Sequence, residues 1–159
     1  KKHNLVILHA LASVQGLEWD LVEILSNLVK ELKVKEVISL EGVGSNIEEK
    51  EVRAFYVGSN KKLKTLGIEP LREGIIVGVT GALLLRKDLP VTCFFAETHS
   101  TLPDSRAAAK IVEVLDNYLG LKVDYKPLLQ KAMEFEAKLR GIMEKTQSIS
   151  KDKKLTYFG

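Results

Sequence analysis

Cysteine is nearly absent from this sequence. Cys93 is the single thiol among 159 residues, which excludes an intramolecular disulfide framework and the small stapled scaffolds that depend on one. No apolar run reaches the ~18 residues of a membrane span or carries signal-peptide flanks, so a membrane-embedded chain is not expected and a reducing, cytoplasmic setting is. Long blocks of one charge are lacking too. The formal charge of +3 is the balance of 24 basic and 21 acidic side chains, mostly interspersed, and no phosphate-backbone footprint emerges that would suit nucleic acid. Asn and Gln are scarce beside Lys and Glu, as in thermophilic proteins. An initiator Met is missing as well, and the expectation is a chain without its N-terminal part.

What is present is enough for one domain. With 45% hydrophobic residues over this length, the chain is able to bury roughly 70% of its unfolded surface. The centre of organisation is 91–110. Val91–Ala96 is an uncharged run rich in β-formers, as in a strand covered on both faces, and a polar turn follows at Glu97–Pro103. A helix then starts behind Thr101 and Asp104, spaced as a capping box, with Pro103 in the first turn and Gly120 at the C-cap. Its expected buried face is Ala108, Ile111, Val112, Leu115, Tyr118 and Leu119.

The other segments fit the same α/β plan. Asn4–His9 reads as a first interior strand, Leu17–Leu32 as an amphipathic helix and Glu36–Leu40 as a second strand, which together make one right-handed β-α-β unit. Glu41–Asn46 contains Gly42 and Gly44. A Gly-x-Gly at a strand end lets backbone amides approach a phosphate, but no third glycine or Gly-Lys-Ser/Thr follows, and a plain tight turn is the simpler reading. Val52–Val57 is a third strand and Asn60–Leu66 a short basic helix; a buried helix is expected from Thr80 to Lys87. Behind Pro127, residues Leu128, Ala132, Phe135, Leu139 and Ile142 step by four and three, a seam equally suited to folding back on the sheet or to pairing between chains.

Two sets of residues are candidates for function. One is the strand-end loop set Gly42, Gly44, Glu97, His99 and Arg106, placed where open α/β sheets bind ligands. Glu97, His99 and Arg106 are expected to bond to one another as a network joining strand end to helix. A Cys93, Glu97 and His99 nucleophile set is disfavoured because a strand-centre thiol is normally a buried hydrophobe. His3 and His9 lack a third ligand at zinc spacing. No metal, cofactor or catalytic residue is assigned. The second set is Leu155, Tyr157, Phe158 and Gly159, an apolar and aromatic end on the polar, Lys-rich stretch that begins at residue 148.

The succession Leu-Glu-Gly-Val-Gly (40–44), Ile-Val-Gly-Val-Thr-Gly-Ala-Leu-Leu-Leu (76–85), Phe-Ala-Glu-Thr-His (95–99), Pro-Asp-Ser-Arg-Ala-Ala-Ala-Lys (103–110) and Leu-Gly-Leu-Lys-Val-Asp (119–124) resembles the proteasome assembly chaperone family in its archaeal form. The resemblance covers roughly residues 4–145. It implies a three-layer α/β sandwich with a mostly parallel sheet, similar to purine nucleoside phosphorylases, spanning 1–147, with a C-terminal helix and a flexible docking tail at 148–159. It further implies no catalysis, homo-oligomerisation, and binding to the α-subunits of the proteasome core particle through C-terminal tails, in assembly or activation. Where that family's tail has a hydrophobic residue, Tyr and the terminal residue, this chain has Tyr157, Phe158 and Gly159. The competing reading is an enzyme of nucleosides or phosphorylated ligands using the loops at 10–16, 41–46 and 97–104, which rests on fold analogy alone.

Overall fold

The structure, a computed structural model, describes residues 3–45, 51–98, 104–124 and 126–155, with side chains as far as Met143 except that of Leu128. In chain order the elements are α1 (Glu18–Glu31), β1 (Val37–Gly44), β2 (Ala54–Val57), a 3-10 turn at Lys61–Thr65, β3 (Glu69–Pro70), α2 (Gly78–Leu84), β4 (Val91–Thr98), α3 (Ser105–Leu119) and α4 (Lys126–Leu155). The sheet runs β1-β4-β2-β3. β1 pairs parallel to β4 and β2 parallel to β3, while β2 and β4 are antiparallel, so two of the three pairings are parallel.

Successive side chains of a strand point to opposite faces, and β4 uses both. Phe94 and Ala96 join Ala54, Leu63 and the Ala107, Ile111, Val114 and Tyr118 face of α3. On the other side Val91 and Val37 meet Val22 of α1 and Ala82 and Leu83 of α2. The result is an α/β/α sandwich in which β4 is buried from Thr92 to Glu97. This explains the uncharged run at Val91–Ala96. Phe94 is fully buried and meets the Tyr118 ring edge-on, with centroids 5.3 Å apart; burying such a side chain contributes roughly 1.5–3 kcal/mol.

Several local expectations are corrected. Asn4–His9 forms no strand: residues 4–10 make no ladder, and Val6, Ile7 and Leu8 are 63%, 86% and 63% exposed. Apolar β-formers become a strand only by pairing with a neighbour, and β1 pairs on one edge alone, so the β-α-β unit is reduced to α1 and β1. Gly42 and Gly44 lie inside β1 rather than in a turn, opposite Ala96 and Thr98 of β4. At Gly42 a Cβ would stand 2.9 Å from Thr98 Cγ2, so the glycine serves close packing. α2 begins at Gly78 and stops at Leu84, with Leu85, 69% exposed, as its C-cap. The cap of α3 is Asp104, whose carboxylate accepts from the Arg106 and Ala107 amides; Gly120 ends the helix in the left-handed region at φ +67. The face of α3 is rotated from the expected one, with Ala108 exposed and Val114 buried. α4 runs from Lys126 through Leu155.

Candidate functional site

The carboxyl ends of β1 and β4 and the amino end of α3 converge at one rim of the sandwich. Glu97, 3% exposed, is the central charged group there. Its partner is Arg53, which binds it with two donors: Nε to Oε2 at 3.0 Å and Nη2 to Oε1 at 2.6 Å. The Glu97 amide also donates to the Arg53 carbonyl at 3.0 Å. Hydrogen bonding from Arg53, opposed by burial, holds the Glu97 carboxyl below its ordinary value. The forked, charge-assisted contact fastens the start of β2 to the end of β4, and the Arg53 guanidinium also lies 5.7 Å from the Phe55 ring.

The expected network of Glu97 with His99 and Arg106 is therefore corrected in its main contact. Arg53 takes the place assigned to Arg106, because antiparallel pairing of β2 brings the residue just before it to the end of β4. His99 lies outside the described residues. Arg106 is exposed on an open groove of about 340 Å³ between α3 and α4, lined also by Met133, Glu136, Ala137, Arg140 and Gly141. In that groove Glu136 of α4 accepts from the Ser105 amide at 3.0 Å and the Ser105 hydroxyl at 2.6 Å, both through Oε2, while Arg140 reaches its Oε1 at 3.2 Å. The Ser105 hydroxyl, then its amide, lowers the Glu136 pKa. A carboxylate from one helix thus closes the positive end of another and docks α4.

Cys93 is fully buried, and burial, with the Glu41 charge adding to it, pushes its thiol up to about 12. Such a thiol is protonated at neutral pH and unsuited to nucleophilic attack. The opposite rim carries a polar cluster that periodicity does not reveal. Glu36 Oε1 accepts from the Thr92 hydroxyl at 2.6 Å and the Tyr118 hydroxyl at 2.7 Å, and Asn60 Nδ2 donates to that same phenol oxygen at 2.6 Å. Lys62 donates to the Tyr118 carbonyl and stands 5.1 Å from its ring centre. Burial, then the Glu36 hydrogen bond, pushes the phenol up to about 12. The cluster ties β1, β4, the 3-10 turn and α3 together, which is an architectural task. Only the polar residues at the edges of apolar runs hinted at it.

Leu155 is the last residue of α4, and Tyr157, Phe158 and Gly159 lie outside the described residues. Among the described residues no three His, Cys, Asp or Glu side chains stand close enough to hold a metal ion, and no helix is long and apolar enough to cross a membrane.

A profile of the PAC2 family matches residues 1–143. Among solved structures, PbaA of Pyrococcus furiosus, described as an archaeal homolog of proteasome-assembly chaperone, is similar in two crystal forms. In the monoclinic form it is 32% identical at a TM-score of 0.70, covering 89% of this chain and 62% of that one; in the other it is 34% identical at 0.68, covering 91% and 66%. The chain thus spans somewhat under two thirds of these archaeal proteins. PbaB of the same organism, described as an archaeal proteasome activator, shares the fold at 21% identity and a TM-score of 0.67, covering 86% of this chain and 62% of that one. No curated protein matches the sequence.

Proposed function

The chain belongs to the PAC2 family, and from that premise we propose that it works without catalysis as a proteasome assembly chaperone or activator, docking Leu155, Tyr157, Phe158 and Gly159 onto α-subunits of the core particle. The supporting observation is α4. A 30-residue helix is about 45 Å long at 1.5 Å per residue, and it is fastened to the sandwich near its first third, by Glu136 on Ser105. Beyond that attachment α4 runs on to Leu155, a length suited to presenting a tail to a partner. The names borne by PbaA and PbaB point the same way. Docking by several tails calls for a homo-oligomer, and the core particle places the encounter in the cytoplasm.

The residues an enzyme would need at the strand ends are otherwise engaged. Glu97 is neutralised by Arg53, Cys93 is buried and protonated, and Gly42 and Gly44 are ladder residues. The test is co-purification of the full chain with proteasome α-subunits, with and without Tyr157–Gly159. Binding that requires those three residues is the expected result. A tail-deleted protein that still binds at full affinity would place the contact in the folded domain, and a melting temperature raised by nucleosides or phosphate would restore the enzyme reading.

A further inference from the structure

The rim at the amino ends of β1 and β4 gathers charge that is dispersed along the chain. Tyr118 is the meeting point: Glu36, just before β1, accepts from its hydroxyl, Asn60 donates to that hydroxyl and Lys62 donates to its carbonyl. The side chains beside these contacts are lysines. Lys33 and Lys35 lead into Glu36, Lys61 and Lys64 stand with Lys62 in the 3-10 turn, and Lys122 lies just past the Gly120 cap. All five are exposed, and none takes part in an ion pair among the described residues. The acids around them are mostly engaged. Glu36 Oε1 takes the Thr92 and Tyr118 hydroxyls, Asp88 is held by Arg86, and Asp116 and Asp124 accept from the Val123 and Lys126 amides. Glu31, at the end of α1, offers one exposed negative charge against the five lysines.

Two of these lysines hold the backbone in the left-handed region, Lys33 at φ +52 and Lys122 at φ +59. Lys33 closes α1: its amide donates to the Lys30 carbonyl and the Val34 amide to the Val29 carbonyl, the pairing in which glycine is the usual residue. A side chain there carries strain that glycine avoids. Strain at two lysines of one rim, with no ion pair in return, points to a role outside the fold.

We propose that this rim is a docking surface for an acidic segment of a protein partner. The kind of cation selects the class. Phosphate favours arginine, whose planar fork binds it through paired hydrogen bonds, and Arg86 on this rim is already forked onto Asp88. Single-stranded nucleic acid also stacks its bases on exposed aromatic rings, and the Tyr118 ring is buried. Compact ammonium charges on flexible stems suit carboxylates spread along a peptide. Clustered like charges repel one another, and an acidic partner relieves that repulsion. The inference goes beyond the docking of the tail and stands on the folded domain.

The experiment uses the full chain and a fluorescent poly-glutamate peptide, with binding measured at low and at physiological ionic strength. Lys61→Ser with Lys64→Ser is compared with Lys131→Ser with Lys138→Ser on α4; both pairs are exposed, and each lowers the formal charge from +3 to +1. Melting curves check that each variant folds. The expected results are saturable binding that weakens as salt is added, an affinity about 2–30-fold lower for the rim pair, as the loss of two exposed ion pairs implies, and little change for the α4 pair. An equal loss from both pairs would mean that net charge alone attracts the peptide, and would overturn the inference. No binding by the native chain, an unchanged affinity in the rim pair, or tighter binding to an oligonucleotide or a phosphatidylserine vesicle than to the peptide would overturn it as well. The tail is intact in every variant and the proteasome absent from every measurement, so a failure of the tail-docking reading leaves this result untouched.

Discussion

At the scale of residues, the two most telling side chains are Cys93 and Arg53. Cys93 sits where its thiolate has no solvation and a negative neighbour in Glu41, so a thiol reagent added to native protein at neutral pH should react only as the chain opens. Slow labelling that becomes complete in denaturant is the expected outcome, and Cys93→Ala should cost about 1 kcal/mol or somewhat more in denaturant melts for the small cavity left behind. Arg53 is half-exposed while its partner Glu97 is not. Removing the guanidinium takes the forked, charge-assisted contact from a buried carboxylate that keeps a hydrogen bond with Ser45, a loss of roughly 1.5–3 kcal/mol, whereas Arg106 is exposed on the groove. Arg53→Ala should therefore lower the melting temperature much more than Arg106→Ala. The pH dependence follows the lowered Glu97 pKa: its contribution to stability is complete above the unfolded value of 4.5 and is lost as the pH falls through the lower native value. Glu97→Gln should flatten that acid limb, as melts between neutral and acid pH would record.

Elements divide into those whose own residues declare them and those that need a neighbour. α1 was legible in its extent but not in its face, since Leu17, Ile24 and Leu32 are exposed while Val22 and Ser26 are buried; β4 was legible from an uncharged run buried on both faces. α3 was legible in its extent and in its Gly120 cap, but not in its N-cap or its face, because Asp104 and Thr101 are equally plausible caps by type and only Tyr118 and Val114 in contact with Phe94 decide the rotation. Pairing is where sequence reading ran out. The apolar run at 4–9 has strand composition without a ladder, and Gly42 and Gly44 have turn composition within one. Of the strand-end set, Glu97 was legible as the residue that closes the uncharged run, yet its partner Arg53 was missed since an antiparallel register leaves no periodic trace. Docking of α4 depends on one carboxylate, and this too is testable. Glu136→Ala removes charge-assisted hydrogen bonds to Ser105, worth roughly 1.5–3 kcal/mol, and should speed proteolytic cleavage between α3 and α4 while leaving the melt of the sandwich nearly in place. Equal protection of wild type and variant would show that packing alone holds α4.

For the whole molecule, the proposed docking raises the question of how a short tail would hold a large partner. In the proposed docking, burying Phe158 would contribute roughly 1.5–3 kcal/mol, and a charge-assisted hydrogen bond beside it about as much again. A net ~4 kcal/mol corresponds to a dissociation constant near ~1 mM, and ordering the Lys-rich segment before it weakens a single tail further. Tails held on one assembly turn each later contact into an intramolecular one, raising avidity by roughly 10²–10⁴. Tail and assembly should then fail in different ways. Deleting Tyr157–Gly159 should abolish core-particle binding and leave the oligomeric state unchanged. A peptide of residues 148–159 keeps the tail without the assembly, so it should bind the core particle at least ~100-fold more weakly than the native chain, and Phe158→Tyr should strengthen binding in both. Equilibrium binding of the variants and the peptide, with native mass measured on the same samples, decides the matter: full-affinity binding by the peptide would mean that one tail suffices and that the avidity argument is wrong.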